Sequence, residues 1–219
     1  MKNILPLLSL VLTINTLGSS GAGIREDISG IGDGNFIEET TNQAPATVAD
    51  EVALLAHNVK RVQHGVPLLI FNATLKEIAI QCANIHARAG TDNSVAPVPD
   101  NPRFYNCPLI NTLVPEATES WYQEDGTNGF GTDGEGIEKA VNFWWSEPGL
   151  NFNSPVYSFA YQAKVQIIWK NTISVACARS ARWDMQTRKH ISCIYSPAGN
   201  NPNTPAAFQA NVLPALNNR

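Results

Sequence analysis

Tyr161-Gln162-Ala163-Lys164-Val165-Gln166-Ile167-Ile168-Trp169-Lys170-Asn171-Thr172 leads into Val175-Ala176-Cys177-Ala178. After a short loop comes Ile191-Ser192-Cys193-Ile194-Tyr195-Ser196-Pro197-Ala198-Gly199-Asn200. In the first run Ala163, Val165, Ile167 and Trp169 alternate with Lys164, Gln166 and Ile168, a period of two that predicts a strand. Residues 173–179 and 190–196 predict two more.

Working back from these strands, the pattern becomes helical. Thr47-Val48-Ala49-Asp50 reads as a capping box, with Asp50 at the third helical position. Val52, Leu55, Ala56, Val59 and Val62 follow at helical spacing and predict a buried stripe that ends at Gly65-Val66-Pro67. A second helix is predicted from about Asn72 to His86, with Leu75, Ile78, Ala79, Cys82 and Ala83 inward. Residues 90–106 are rich in Pro, Asn and Asp and read as a loop. Thr132-Asp133-Gly134-Glu135 begins a third helix, with Ile137, Ala140, Val141, Trp144 and Trp145 as its stripe and Pro148-Gly149 as its stop. Helices first and strands later, without alternation of the two, predict the α+β class.

The chain has 219 residues, enough for one domain with tails, and 43% of them are hydrophobic. Its formal net charge of −4 argues against a nucleic-acid partner, since phosphate contacts require a basic face. Lys2, the apolar run from Ile4 to Leu12 and the small residues from Gly18 to Ala22 predict a signal peptide over 1–22. Residues 23–46 read as a disordered acidic arm or propeptide, and 47–219 as the folded domain. The expected product is secreted and extracellular, and not membrane-embedded.

Cys82, Cys107, Cys177 and Cys193 fit two disulfides in a secreted chain, with three pairings possible. No Cys-x-x-Cys occurs, which argues against a zinc knuckle or a redox motif. Asn72-Ala73-Thr74 is a glycosylation sequon, although Asn72 also suits a helix N-cap. Among the histidines, His57 and His64 read as core or capping residues, His86 as the end of the second helix and His190 as solvated in a basic loop. No His-Glu-x-x-His, Gly-x-Ser-x-Gly or phosphate-loop pattern is present.

The quoted C-terminal stretch resembles the signature of the CAP superfamily, which comprises cysteine-rich secretory, antigen 5 and class 1 pathogenesis-related proteins. That signature runs G-H-[FY]-T-Q-V-V-W-K-x-T, then G-C, then C-N-Y-x-P-x-G-N. Gln166, Trp169, Lys170, Thr172, Cys177, Cys193, Tyr195, Pro197, Gly199 and Asn200 match it. The stretch from His57 to Leu75 looks like the family's opening H-N-x-x-R-x-x-H-G-V-P-x-L-x-W-[DN]-x-x-L, and Val141-Asn142-Phe143-Trp144-Trp145-Ser146-Glu147 its A-V-x-x-W-Y-x-E. Phe208-Gln209-Ala210-Asn211-Val212 is similar to the tail of fungal class 1 pathogenesis-related-like members. The resemblance implies an α-β-α sandwich with an antiparallel sheet between helix layers.

It also implies a cleft of two His and two Glu that holds a divalent metal in some members. On the family's motifs these positions fall at Asn111, Glu116, Glu147 and Ala163, so both imidazoles are missing. Two carboxylates, an amide and a methyl group make a poor zinc site, and no cofactor is expected. The expected function is therefore non-enzymatic: binding of a small hydrophobic ligand, a sterol or a fatty acid, with an extracellular protein partner as the alternative. The family's sterol-contact loop corresponds to residues 118–131, where Trp121, Tyr122 and Phe130 are the aromatic candidates, at a spacing different from the family's. For the disulfides the resemblance implies Cys107–Cys177, with Cys82–Cys193 as the remaining pair. A Cys177–Cys193 link between adjacent strands is the competing arrangement.

Overall fold

The computed structural model describes residues 45, 47–89, 107–124, 131–181 and 188–218. All described residues belong to one compact unit within 40–219. The signal peptide and most of the arm expected for residues 1–46, and the loop expected for 90–106, lie outside the described residues.

Among the described residues, six α-helices and four strands follow in the order α1 (Val48–His64), β1 (Ile70–Phe71), α2 (Ala73–Ala89), α3 (Pro108–Leu113), β2 (Thr118–Glu124), α4 (Asp133–Trp145), α5 (Gln162–Ile168), β3 (Ser174–Arg179), β4 (Lys189–Ser196) and α6 (Pro205–Asn211). The sheet order is β1-β3-β4-β2. It is antiparallel apart from the short parallel pairing of β1 with β3. Helices cover both faces, giving the expected α-β-α sandwich.

The strand pleat sorts side chains into two cores. Val175, Cys177, Ile191, Cys193 and Tyr195 face α1, α4 and α5. Ala176, Ala178 and Ile194 face α2 and α3, together with Cys82 and Cys107. This sorting corrects the disulfide pairing that the resemblance implied. Cys107–Cys177 and Cys82–Cys193 would each have to cross the sheet. The observed bonds are Cys82–Cys107 in one core and Cys177–Cys193 in the other. Cys177 and Cys193 are direct partners in the β3–β4 register, so the competing cross-strand link is the one formed.

The first helix shows a second correction. Its capping box forms as expected, with Asp50 N–H donating to the Thr47 hydroxyl and Thr47 N–H to the Asp50 carboxylate. Yet Leu55, Val59 and Val62 are exposed, and Asp50, Ala53, His57, Arg61 and His64 are buried instead. Every buried polar group on that face has a partner. Asp50 pairs with Lys76 at 2.7 Å. Arg61 donates to the carbonyls of Pro67, Ile167, Trp169 and Thr172 at 2.6–3.0 Å. His64 Nδ1–H donates to Leu213 O at 2.6 Å. Fully satisfied hydrogen bonds set the rotation of this helix against its apolar pattern, because leaving such groups buried and unpaired is costlier than exposing a few aliphatic side chains.

The predicted strand around Ala163–Trp169 is the helix α5. Ala163, Val165, Gln166, Ile167 and Ile168 are all buried, so no solvent face existed to reveal the period, and a short apolar run fits either element. The Ser158 hydroxyl, accepting from Ala160 N–H, starts the single 3-10 turn that leads into it. Gln166 is buried because its side chain accepts from Gly199 N–H and donates to the Thr172 hydroxyl.

The predicted helices α2 and α4 follow expectation, whereas α3 and α6 were not anticipated. Leu75, Ile78, Ala79, Cys82 and Ala83 are buried on α2, and the Asn72 carboxamide oxygen accepts from Leu75 N–H as an N-cap. On α4, whose capping box is Thr132/Glu135, the residues Ile137, Ala140, Val141 and Trp144 are buried. Ahead of α4, buried Arg179 pairs with Glu124 at 2.6 Å and donates to the carbonyls of Gly131 and Thr132.

Candidate functional site

A cleft of ≈ 330 Å³ opens on the α4–α5 side of β2. Three elements build it. The pleat of β2 turns Ser120 and Tyr122 toward it, α4 supplies Phe143 and Trp144 with Glu147 just beyond its end, and the turn before α5 supplies Phe159 while the first turn of α5 supplies Gln162 and Ala163. The Tyr122 and Phe143 rings lie 5.0 Å apart and form one wall. Gln162 is fixed by the Tyr157 hydroxyl, which donates to its Oε1 at 3.0 Å. At the rim, Lys164 Nζ donates to the Glu147 carbonyl at 2.8 Å, and the ammoniums of Lys164 and Lys60 sit 5.3 and 5.5 Å from the Trp145 ring centre. Burial lowers the Lys164 pKa from its ordinary value, and the Glu147 charge opposes that shift.

Of the four family positions, Glu147 and Ala163 line the cleft. Asn111, on α3, and Glu116, in the turn before β2, are exposed and outside its lining. The buried carboxylate of this region is Glu119, which sequence reading passed over. It points to the opposite face of the sheet, where it accepts from His86 Nε2, the Ser192 hydroxyl and the Cys107 amide at 2.8, 2.5 and 2.7 Å. The alternation of Glu119, Trp121 and Gln123 along β2 was the available signal.

The aromatic candidates also separate. Residues 118–124 of the expected loop are the strand β2, so Trp121 and Tyr122 point to opposite faces. Trp121 stacks on His86 at 4.8 Å, whereas Tyr122 packs on Phe143. Phe130 lies outside the described residues. Phe159 and Gln162 were missed because the segment after them read as a strand. His190, expected in solvent, is buried near Trp121 and His86. His57 and His64 are core residues, as expected.

The cleft's donor set does not fit zinc. It offers Glu147, a hydroxyl and a carboxamide, with a methyl group at 163 and no imidazole. Among the described residues, His57, Cys177 and Cys193 bring three potential ligand atoms within 4.8 Å of one another. Both sulfurs are committed to their disulfide and have no thiolate to offer. The imidazole is likewise occupied, by Ala53 O at Nδ1 and the Tyr195 hydroxyl at Nε2.

The described residues form an α-β-α sandwich with two disulfides and an aromatic-walled cleft between β2, α4 and α5. The profile of the cysteine-rich secretory protein family, CAP, matches residues 54–195, and the chain belongs to that family. Secreted protein RBT4 of Candida albicans is 27% identical over 208 residues, covering 90% of this chain and 46% of that protein. Repressed by EFG1 protein 1, also of Candida albicans, is 29% identical over 187 residues, covering 81% and 58%. Fruiting body protein SC7 of Schizophyllum commune is 27% identical over 129 residues, covering 57% and 48%. The chain spans about half the length of the curated relatives it matches. The crystal structure of NaASP2 with Zn²⁺ superposes with a TM-score of 0.51 at 14% identity, over 76% of this chain and 85% of that one. The likeness is one of fold. No helix among the described residues is long and apolar enough to cross a membrane.

Proposed function

We propose that this chain is a secreted, non-enzymatic member of its family that binds a small hydrophobic ligand, a fatty acid or a sterol, in the cleft beside β2. Residues 1–22 act as the signal peptide and 23–46 as an acidic arm. The observation that carries the reading is the cleft wall: Tyr122, Phe143 and Phe159 face an opening where residue 163 is a methyl group rather than a metal-binding imidazole. A cleft with an aromatic wall and convergent polar groups suits ligands with an apolar body and one polar end. Ser120, Glu147 and Gln162 supply the polar end. A volume of ≈ 330 Å³ is at the small end of such sites and favours a single acyl chain over a bulky polycycle.

Competition binding on the secreted chain, with labelled palmitate and labelled sterol in parallel, tests this. Palmitate binding that Phe143→Ala weakens supports the cleft. Sterol binding insensitive to Phe143→Ala moves the ligand elsewhere. If neither lipid binds while a lipid-binding family member does, the reading fails. The second reading, an extracellular effector working by protein contact, is favoured by the apolar side chains that α1 leaves exposed.

A further inference from the structure

Behind the cleft, a row of buried side chains fixes which way its hydrogen bonds run. Ser120 is the register partner of Cys193, so it shares a sheet face with Cys193 and Tyr195. Its hydroxyl forms a hydrogen bond with the Tyr195 phenol. Behind Tyr195 stands His57, with Nε2 2.8 Å from the phenol oxygen and Nδ1 2.7 Å from Ala53 O. All three side chains are buried, so bulk water does not compete for these bonds.

Only one proton order satisfies this row. A carbonyl can only accept, so Nδ1 of His57 carries the hydrogen. Burial keeps the imidazole neutral, so Nε2 holds a lone pair and the phenol donates to it. The one phenol proton is then committed, and Tyr195 can only accept from Ser120. The Ser120 proton therefore points away from the cleft, and toward a ligand the Ser120 oxygen can only accept. Glu147 adds a carboxylate, another acceptor. Gln162 has the opposite polarity. Its Oε1 accepts from the Tyr157 hydroxyl, and its amide N–H groups are the donors it brings to the cleft.

Resting on the lipid-binding reading above, we propose that this cleft selects ligands whose polar end is a hydroxyl, donating to Ser120 or Glu147 and accepting from Gln162, over ligands that end in a carboxylate or an ester. A carboxylate has no proton to donate and meets the Glu147 charge. The nearby cations do not offset this. Lys164 Nζ is directed at the Glu147 carbonyl and, with Lys60, at the Trp145 ring, and neither lysine lines the cleft. The Glu119 carboxylate turns to the other face of the sheet, toward His86, Ser192 and the Cys107 amide. An ester is neutral but leaves the Ser120 and Glu147 acceptors without a hydrogen. With the small cleft volume, a long-chain alcohol is the best match.

Competition against labelled hexadecanol on the full secreted chain, with unlabelled hexadecanol, palmitate and methyl palmitate at neutral pH, tests this. Hexadecanol should bind at least about tenfold more tightly than either of the others, and Phe143→Ala should weaken it. Glu147→Gln removes the charge and adds a donor at the same size, so the preference for hexadecanol over palmitate should shrink about tenfold. Tyr195→Phe removes the acceptor that holds the Ser120 proton. Ser120 can then donate into the cleft, and the preference for hexadecanol over methyl palmitate should fall toward parity. Should this core variant fail to fold, Glu147→Gln, outside the core, decides alone. Palmitate or methyl palmitate binding as tightly as hexadecanol overturns the proposal while leaving the cleft a lipid site. So does a preference over palmitate that Glu147→Gln leaves unchanged. Hexadecanol binding insensitive to Phe143→Ala places the ligand elsewhere and also overturns it. If none of these lipids binds, nor sterol, the lipid-binding reading itself fails and the proposal with it.

Discussion

The Nε2 atom of His57 lies 2.8 Å from the hydroxyl of Tyr195, and this bond joins the middle of α1 to the central strand β4. Nδ1–H of the same ring donates to Ala53 O at 2.7 Å, so Nε2 carries the lone pair and the phenol donates to it. Burial pushes the His57 pKa down to about 4 and the Tyr195 pKa far above its ordinary value, keeping both neutral.

That neutral imidazole makes stability depend on pH. The folded pKa of about 4 lies below the unfolded 6.5, so the unfolded state binds the proton first as pH falls. The contribution is whole above pH 6.5 and is lost as pH drops toward 4. Between pH 7 and pH 5 the loss from this group is roughly 2 kcal/mol. Urea denaturation of wild type and His57→Gln at both values should show a smaller pH difference in the variant. Equal differences would show that His57 does not titrate in this way.

Arg61 ties four main-chain carbonyls together, one of them Trp169 O at 2.9 Å. Replacing it by methionine removes every donor while leaving the acceptors inside, a cost of roughly 3–5 kcal/mol. Lysine cannot restore the planar fork and should recover less than half of the loss. Denaturation midpoints at constant slope measure both.

Non-reducing peptide mapping should recover Cys82 linked to Cys107 and Cys177 linked to Cys193. Removing either bridge with a paired alanine substitution should cost about 3 kcal/mol, because the closed loops, 25 and 16 residues in sequence separation, differ little in closure entropy. Melting temperatures of the two double variants check this.

Phe143 is 41% exposed and forms one wall of the cleft, so shortening it should spare the fold. Phe143→Ala is expected to weaken palmitate binding by about tenfold, the equivalent of losing part of one aromatic contact surface. Titration calorimetry gives the affinity, and an unchanged melting temperature confirms that the loss is local.

The α+β class, the stripes of α2 and α4 and both capping boxes were legible in the sequence because there the apolar pattern and the burial agree. On α1 they disagree. The deciding contacts join Arg61 to residues over a hundred positions away, and spacing within a helix carries no trace of them. On α5 five of the seven residues are buried, Gln166 among them, which blurs the contrast that a period needs. Of the residues expected at a cleft, Glu147 and Ala163 from short motifs and Tyr122 from the aromatic pair lie along this one. Asn111 and Glu116 lie outside its lining, because spacing alone does not report where a turn ends and a pleat begins. Which cysteines meet depends on that same pleat, and the strand register supplies it.

Arg179 grips Glu124 on one side and the carbonyls of Gly131 and Thr132 on the other. Glu124 at the end of β2 and Gly131–Thr132 ahead of α4 are thus held by one guanidinium from β3, which lies beyond β4 in the sheet. A single guanidinium is a common anchor for β2 and the start of α4, so one substitution at position 179 would release both elements at once.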